Sequence, residues 1–215
     1  MHFDFSDLDS VQAYKLLGST VTPRPIAWIT TLSRDKVVNA APYSFFNVMG
    51  HTPPTVAVGI LKDPVKGFKD TSANIMEQGE FVINLVPEAL AEAMNITAID
   101  APKEVGELDL AGLTTLPSAK VAPPQIAQSP VSIECVNLSS VVTGPEQVIV
   151  IGRVVSMRID DRYVENAERC YVDTAGLDLV GRLHGTGWYS RTRDRFQIER
   201  PKYADWKNKE EKQTS

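Results

Sequence analysis

Two long β-type runs, PVSIECVNLSSVVTG (130 to 144) and QVIVIGRVVSMRID (147 to 160), follow one another with Gly144 and Pro145 at their junction. Runs of this length separated by a turn signal predict an antiparallel hairpin. Three shorter runs, IAWITTL, TVAVGIL and EFVINLV, have the same β-rich character, and RFQIER (195 to 200) reads as a last short strand. Helix patterns are few. Ser10 followed by VQAYKLLG reads as a short helix capped by a side-chain oxygen and closed by Gly18. TSANIMEQ, capped by Asp70 or Thr71 and ended at Gly79, and PEALAEAMNIT, with proline at its first turn, are two more. The strands are not regularly separated by helices, so a mostly β antiparallel barrel with a few peripheral helices fits better than a βαβ sheet.

Between these elements, NAAPYSFFNVMGHTPP is neither periodic nor charged and is expected to be a loop held against the core. Residues 99 to 128, rich in Pro, Ala and Gly, predict a surface excursion or subunit-interface arm. The expected organisation is one domain over 1 to 200 and a charged C-terminal tail over 201 to 215.

A composition of 43% hydrophobic and 23% charged residues is that of a folded protein. With a net charge of −5 and basic residues not blocked into a patch, no partner that is a nucleic acid or an anionic membrane is expected. The N-terminus carries acids and no apolar targeting core, and no window approaches the roughly 18 apolar residues of a membrane span. These features predict a cytoplasmic protein. Cys135 and Cys170 form no CxxC pair, and His2, His51 and His184 are scattered, so no metal site is expected. GxGxxG after a strand and GxxxxGK[ST] are both absent, which leaves a Rossmann or P-loop nucleotide site unsupported.

Five segments, in order, carry a family resemblance: PRPIAWITT (23 to 31), NAAPYSFFN (39 to 47), KDT (69 to 71, with Asn74), GEFVINLV (79 to 86) and GRLHGTGWY (181 to 189). Together they resemble the flavin reductase-like family with the FMN-binding split-barrel fold. The resemblance implies an antiparallel split barrel, FMN as cofactor, NADH or NADPH as co-substrate, and a homodimer. It also implies reduced flavin passed to an oxygenase partner or other acceptor. A non-enzymatic, flavoredoxin-like FMN electron carrier is the alternative.

FMN presents a dianionic phosphate, a hydroxylated chain and a flat ring with amide-like edges. A phosphate calls for a cation, hydroxyls and backbone N–H groups at a helix start. Lys69, Thr71 and Ser72 offer these, although the same residues also read as an ordinary cap with a solvated charge, and Asp70 beside a phosphate is repulsive. The resemblance implies Lys69 and Thr71 near the phosphate, with the SFFN stretch also around the flavin. Thr30 and Thr31 can offer donors and acceptors to the ring edge or simply suit a strand. Asn39, Ser44 and Asn47 are polar groups in apolar surroundings that need partners. Asn74 belongs to the KDT segment, and of Phe45 and Phe46 one, Phe46, is assigned to the ring. Arg24 reads equally as a donor to loop carbonyls or as an anion contact. His184, among glycines that permit close approach, is the candidate for the nicotinamide contact, against the ordinary structural role of a lone histidine. Hydride transfer needs no nucleophile or acid–base pair from the protein, which accords with the absence of a Ser/His/Asp constellation.

Overall fold

The computed structural model describes residues 1–63, 65, 67–99 and 106–203. Helix α1 (Ser10–Thr20) precedes strands β1 (Arg24–Pro25), β2 (Ala27–Leu32), β3 (Val38–Tyr43), β4 (Phe45–His51) and β5 (Pro54–Leu61). Helix α2 (Asp70–Gln78), strand β6 (Glu80–Asn84) and helices α3 (Ala91–Ile96) and α4 (Glu107–Leu110) follow. Short β7 (Thr115–Leu116) and β8 (Gln125–Ile126) lead into the long β9 (Val131–Gly144) and β10 (Gln147–Ile159). The remaining strands are β11 (Val164–Asn166), β12 (Tyr171–Val172), β13 (Val180–Arg182) and β14 (Tyr189–Arg191).

The fold is mostly β, with antiparallel pairing throughout and few helices, as the sequence predicts. Seven strands form one sheet in the order β3-β2-β6-β9-β10-β5-β4, with the expected β9–β10 hairpin at its middle. A second, three-stranded sheet joins β1 to β13 and β14. Strand β2 is buried on both faces. Because side chains alternate along a strand, Ala27 and Ile29 enter one core with Val58, Phe81 and Val150. Trp28 enters a second core with Met94, Leu108, Ile126 and Val180. The Trp28 indole N–H donates to the Thr97 hydroxyl at 2.8 Å, so this ring is buried without stranding its polar edge.

Several local expectations are corrected. The segment around NAAPYSFFN is not a loop but strands β3 and β4, broken only at Ser44. They are the two ends of the sheet order, where a strand pairs on one side only and tolerates a proline such as Pro42. Helix α1 is capped by Asp9 rather than Ser10. The Gln12 N–H donates to the Asp9 carboxylate at 2.7 Å and the Asp9 N–H donates to the Gln12 side chain at 3.0 Å, a reciprocal pair that Ser10 does not make. Gly18 lies inside that helix. Asp70 and Thr71 do not cap α2: the N-cap is Lys69, with no side-chain cap, and Thr71 turns inward. Gly79 does end this helix, at φ 76°. PEALAEAMNIT divides into a 3-10 turn, Glu88–Leu90, and α3.

Of the 99 to 128 segment, residues 100 to 105 lie outside the described residues, and the part from Gly106 is a surface excursion only in part. It buries Leu108, Leu113, Val121 and Ile126. The buried Glu134 carboxylate pins it by accepting from the N–H groups of Ala119 (2.8 Å) and Lys120 (2.6 Å) and from the Gln125 amide (2.8 Å). RFQIER is not a strand. No sheet edge pairs with it, Phe196 is 87% exposed, and the last strand is β14. The KNKEEKQTS tail lies outside the described residues. No described helix is long and apolar enough to cross a membrane.

Gly152 marks a close approach in the middle of the sheet. The β9–β10 register shifts between Ile151 and Gly152, and a Cβ on Gly152 would lie 2.5 Å from Cζ of the fully buried Phe81. Gly152→Ala is expected to lower stability by about 1–3 kcal/mol through overpacking, measured by urea unfolding; wild-type stability would mean that Phe81 has room to move.

Candidate functional site

The start of the three-stranded sheet is set by Arg24. Its guanidinium, 6% exposed, donates to the carbonyls of Gly18 (2.6 Å), Val21 (2.7 Å) and Leu183 (2.6 Å), and reaches Ser44 Oγ at 3.4 Å. The role left open by the sequence is therefore that of a donor to loop carbonyls. Burial pulls this guanidinium below its ordinary pKa, and the neighbouring Arg182 charge acts in the same direction. Phe45 lies under the same group, 5.8 Å from the guanidinium carbon and 5.9 Å from the Tyr14 ring of α1.

Beside Ser44, which Arg24 reaches, lies a cavity of about 190 Å³. Tyr43 and Ser44 line it from the end of β3, Met94 and Asn95 from α3, and Arg182 and Tyr189 from β13 and β14. Burial pushes the Tyr43 phenol up to about 12, with a hydrogen bond from the Thr71 hydroxyl acting the other way, so at neutral pH the group is a neutral O–H. Thr71 in turn accepts from the Asn39 amide at 2.7 Å. A polar chain of Asn39, Thr71 and Tyr43 thus joins the first turn of α2 to the cavity. Beside it, the Ala40 N–H donates to Glu107 at 3.4 Å, and burial raises the Glu107 carboxyl above the usual range.

The residues expected at the site fall into two groups. Ser44 lines the cavity, and Asn39 and Thr71 connect to it through Tyr43. Lys69 is exposed at the start of α2, and His184 is exposed in the turn between β13 and β14, next to Arg182. The others are committed elsewhere. Thr30 and Thr31 have no exposed surface: the Thr30 hydroxyl donates to the Pro124 carbonyl at 2.5 Å, and Thr31 accepts from Asn74 at 3.0 Å. Strand β2 is covered on both faces, so neither threonine side chain reaches the cavity, and Asn74 is spent on Thr31. The Ser72 hydroxyl bonds the Lys69 carbonyl at 2.9 Å within its own helix turn. Phe46 is a core residue, because alternation along β4 turns it inward to Val58 while Phe45 faces Arg24. Asn47 is exposed, its side chain accepting from the Val48 N–H at 2.8 Å. Met94 and Asn95 carry no sequence signal beyond a helix pattern; their place in the site depends on how α3 packs across β3, a long-range contact.

A family model described as "Flavin reductase like domain" matches residues 18–175. The chain belongs to the flavin reductase-like family. A protein of Deinococcus radiodurans is 41% identical over 95% of this chain and 92% of its own length. Among solved structures, Pseudomonas fluorescens 2-nitrobenzoate 2-nitroreductase NbaA superposes with a TM-score of 0.85 at 32% identity, covering 94% of this chain and 98% of that one. Nitrilotriacetate monooxygenase component B from Bacillus cereus gives 0.86 at 30% identity, covering 92% and 98%. This flavin reductase-like chain is a flavin-related oxidoreductase with the split-barrel fold. The GRLHGTGWY turn that supplies Arg182 and Tyr189 lies past the matched residues.

Arg24→Met removes the donors to three carbonyls from two separate parts of the chain. It is expected to cost about 1–3 kcal/mol and to speed amide exchange at residues 183–188. Wild-type exchange in that turn would show that Arg24 does not hold it.

Proposed function

We propose that this protein binds FMN at the cavity and transfers to it the hydride of NADH or NADPH, as a flavin reductase working as a homodimer. The observation that carries the reading is the meeting of two separate motif segments at one cavity, Tyr43 and Ser44 on one wall and Arg182 and Tyr189 on the other. The residues present suit FMN chemically. The uncapped start of α2, with Lys69 beside it, suits a phosphate. The Tyr43 and Ser44 hydroxyls and the Asn95 amide suit the polar edges of the ring and the sugar chain.

Whole-ligand sites commonly enclose about 300–1,000 Å³, more than the about 190 Å³ walled by one chain. A second copy would supply the remaining cover. The exposed apolar side chains Val48 (65%) and Met49 (60%) of β4 and Leu138 (50%) of β9 are available to such an interface.

Bound FMN would supply hydride acceptance and donation; the chain's own work is to orient the ring, limit water access and admit the nicotinamide. His184, exposed beside the cavity wall, is assigned to that second ligand. The monooxygenase component among the similar structures supports delivery of reduced flavin to an oxygenase partner.

Anaerobic stopped-flow mixing of FMN-loaded protein with NADH and, separately, NADPH tests the reading. Fast bleaching by at least one donor is expected, whereas bleaching only by a chemical reductant or a partner protein would replace the reductase with an electron carrier. Lys69→Ala is expected to raise the FMN dissociation constant about tenfold, the scale of one charged hydrogen bond; an unchanged constant removes Lys69 from the phosphate site. His184→Ala is expected to slow bleaching at constant FMN affinity, and wild-type rates would return His184 to a structural role.

A further inference from the structure

Arg182 is the charged residue among the side chains that line the cavity, and no carboxylate lines it. Its guanidinium is already held in place. Nη2 donates to the Gly185 carbonyl at 2.6 Å and the group lies 4.9 Å from the centre of the Tyr189 ring. A guanidinium carries five N–H donors, and the Gly185 bond is the hydrogen bond that Arg182 donates among the described residues. No described carboxylate pairs with it, in contrast to Arg191 and Arg193, whose partners are Glu88 and Asp178.

The second guanidinium nearby, that of Arg24, does not line the cavity and is spent on three carbonyls and the Ser44 hydroxyl. The cavity lining thus carries one cation, Arg182, and no carboxylate, in a chain whose net charge is −5. A fixed, planar fork with unused donors facing an apolar and aromatic wall is the arrangement that recognises an oxyanion on a flat ligand. Orienting such a side chain in advance also reduces the ordering cost of binding.

We infer that Arg182 is the anion-recognition residue of this cavity, binding a carboxylate or phosphate oxygen pair of a ring-sized ligand while Tyr189 holds the guanidinium plane. The inference rests on the reading of this cavity as the reaction site and adds the charge that its ligand must carry. One oxyanion chemistry could come from three sources: the pyrophosphate of the nicotinamide nucleotide, the phosphate of FMN, or a carboxylate on the final acceptor.

Calorimetric titration of the full-length protein, with and without FMN, against pyrophosphate and benzoate, and of the flavin-free protein against FMN and riboflavin, separates the sources. R182Q is compared with wild type and with R169Q. Arg169 stacks on Tyr171 at 4.5 Å in the same manner but does not line the cavity. The expected result is a dissociation constant about tenfold or more higher in R182Q for at least one anion, with riboflavin unaffected and R169Q matching wild type. Loss confined to benzoate identifies an acceptor carboxylate, loss of pyrophosphate a nucleotide, and loss of FMN without riboflavin the flavin phosphate. R182K, which keeps the charge and loses the fork, is expected to fall between, and serves as the folded variant if R182Q is unstable. Equal binding of all probes by wild type and R182Q, or by wild type and R182K should R182Q not fold, overturns the inference, as does the absence of any anion binding. A protein that binds no flavin but holds benzoate or pyrophosphate through Arg182 would retain the inference and overturn the FMN reading.

Discussion

The Arg24 guanidinium joins parts of the chain that lie far apart in sequence. Its donors reach the carbonyls of Gly18 and Val21 at the end of α1 and that of Leu183 after β13, and its Nε reaches Ser44 between β3 and β4. A guanidinium with 6% exposure persists in the interior only because its donors are matched by acceptors. The β1–β13 ladder that Arg24 begins, pairing it with Arg182, fixes the two-residue register on which the cavity wall depends. Arg24 thus ties the end of α1 to two of the segments that meet at the cavity, Ser44 and β13, and need not touch a ligand itself.

Strand β2 performs the complementary task from the other side. Packed on both faces, it fixes β3 in register from Ala27 opposite Tyr43 to Leu32 opposite Val38, and thereby fixes where the Tyr43 and Ser44 wall stands. Its second face carries Trp28, whose bond to Thr97 draws the end of α3 over the sheet and with it Asn95 to the cavity. The site is assembled by long-range pairing, with each wall arriving from a different stretch of the chain.

The sheet was legible in the sequence because its central strands obey strong local patterns. The β9–β10 hairpin follows from two long runs and the Gly144 and Pro145 signal, and Gly79 ends α2 as a left-handed residue must. The edge strands were not legible, since β3 and β4 owe their conformation to a partner on one side and not to the propensity of NAAPYSFFN. The same limit applies at the site. Ser44, Lys69 and His184 are polar residues in positions that composition makes conspicuous, whereas Thr30, Thr31, Ser72, Asn74 and Phe46 find partners inside the protein. Which face of a strand a threonine occupies is settled by what covers the sheet, and no window of sequence holds that information. Tyr189 and Arg182 needed the three-dimensional pairing of β13 with β1 and β14 before their common wall could be seen.

The most direct test of this account is a crystal structure of the protein grown with FMN. The account predicts density for the flavin ring in the cavity between Tyr43 and Ser44 on one side and Tyr189 on the other, with the phosphate toward Lys69 and a second copy of the chain closing the open face. A flavin bound elsewhere on the molecule, or a colourless protein that takes up no FMN under any loading condition, would contradict it.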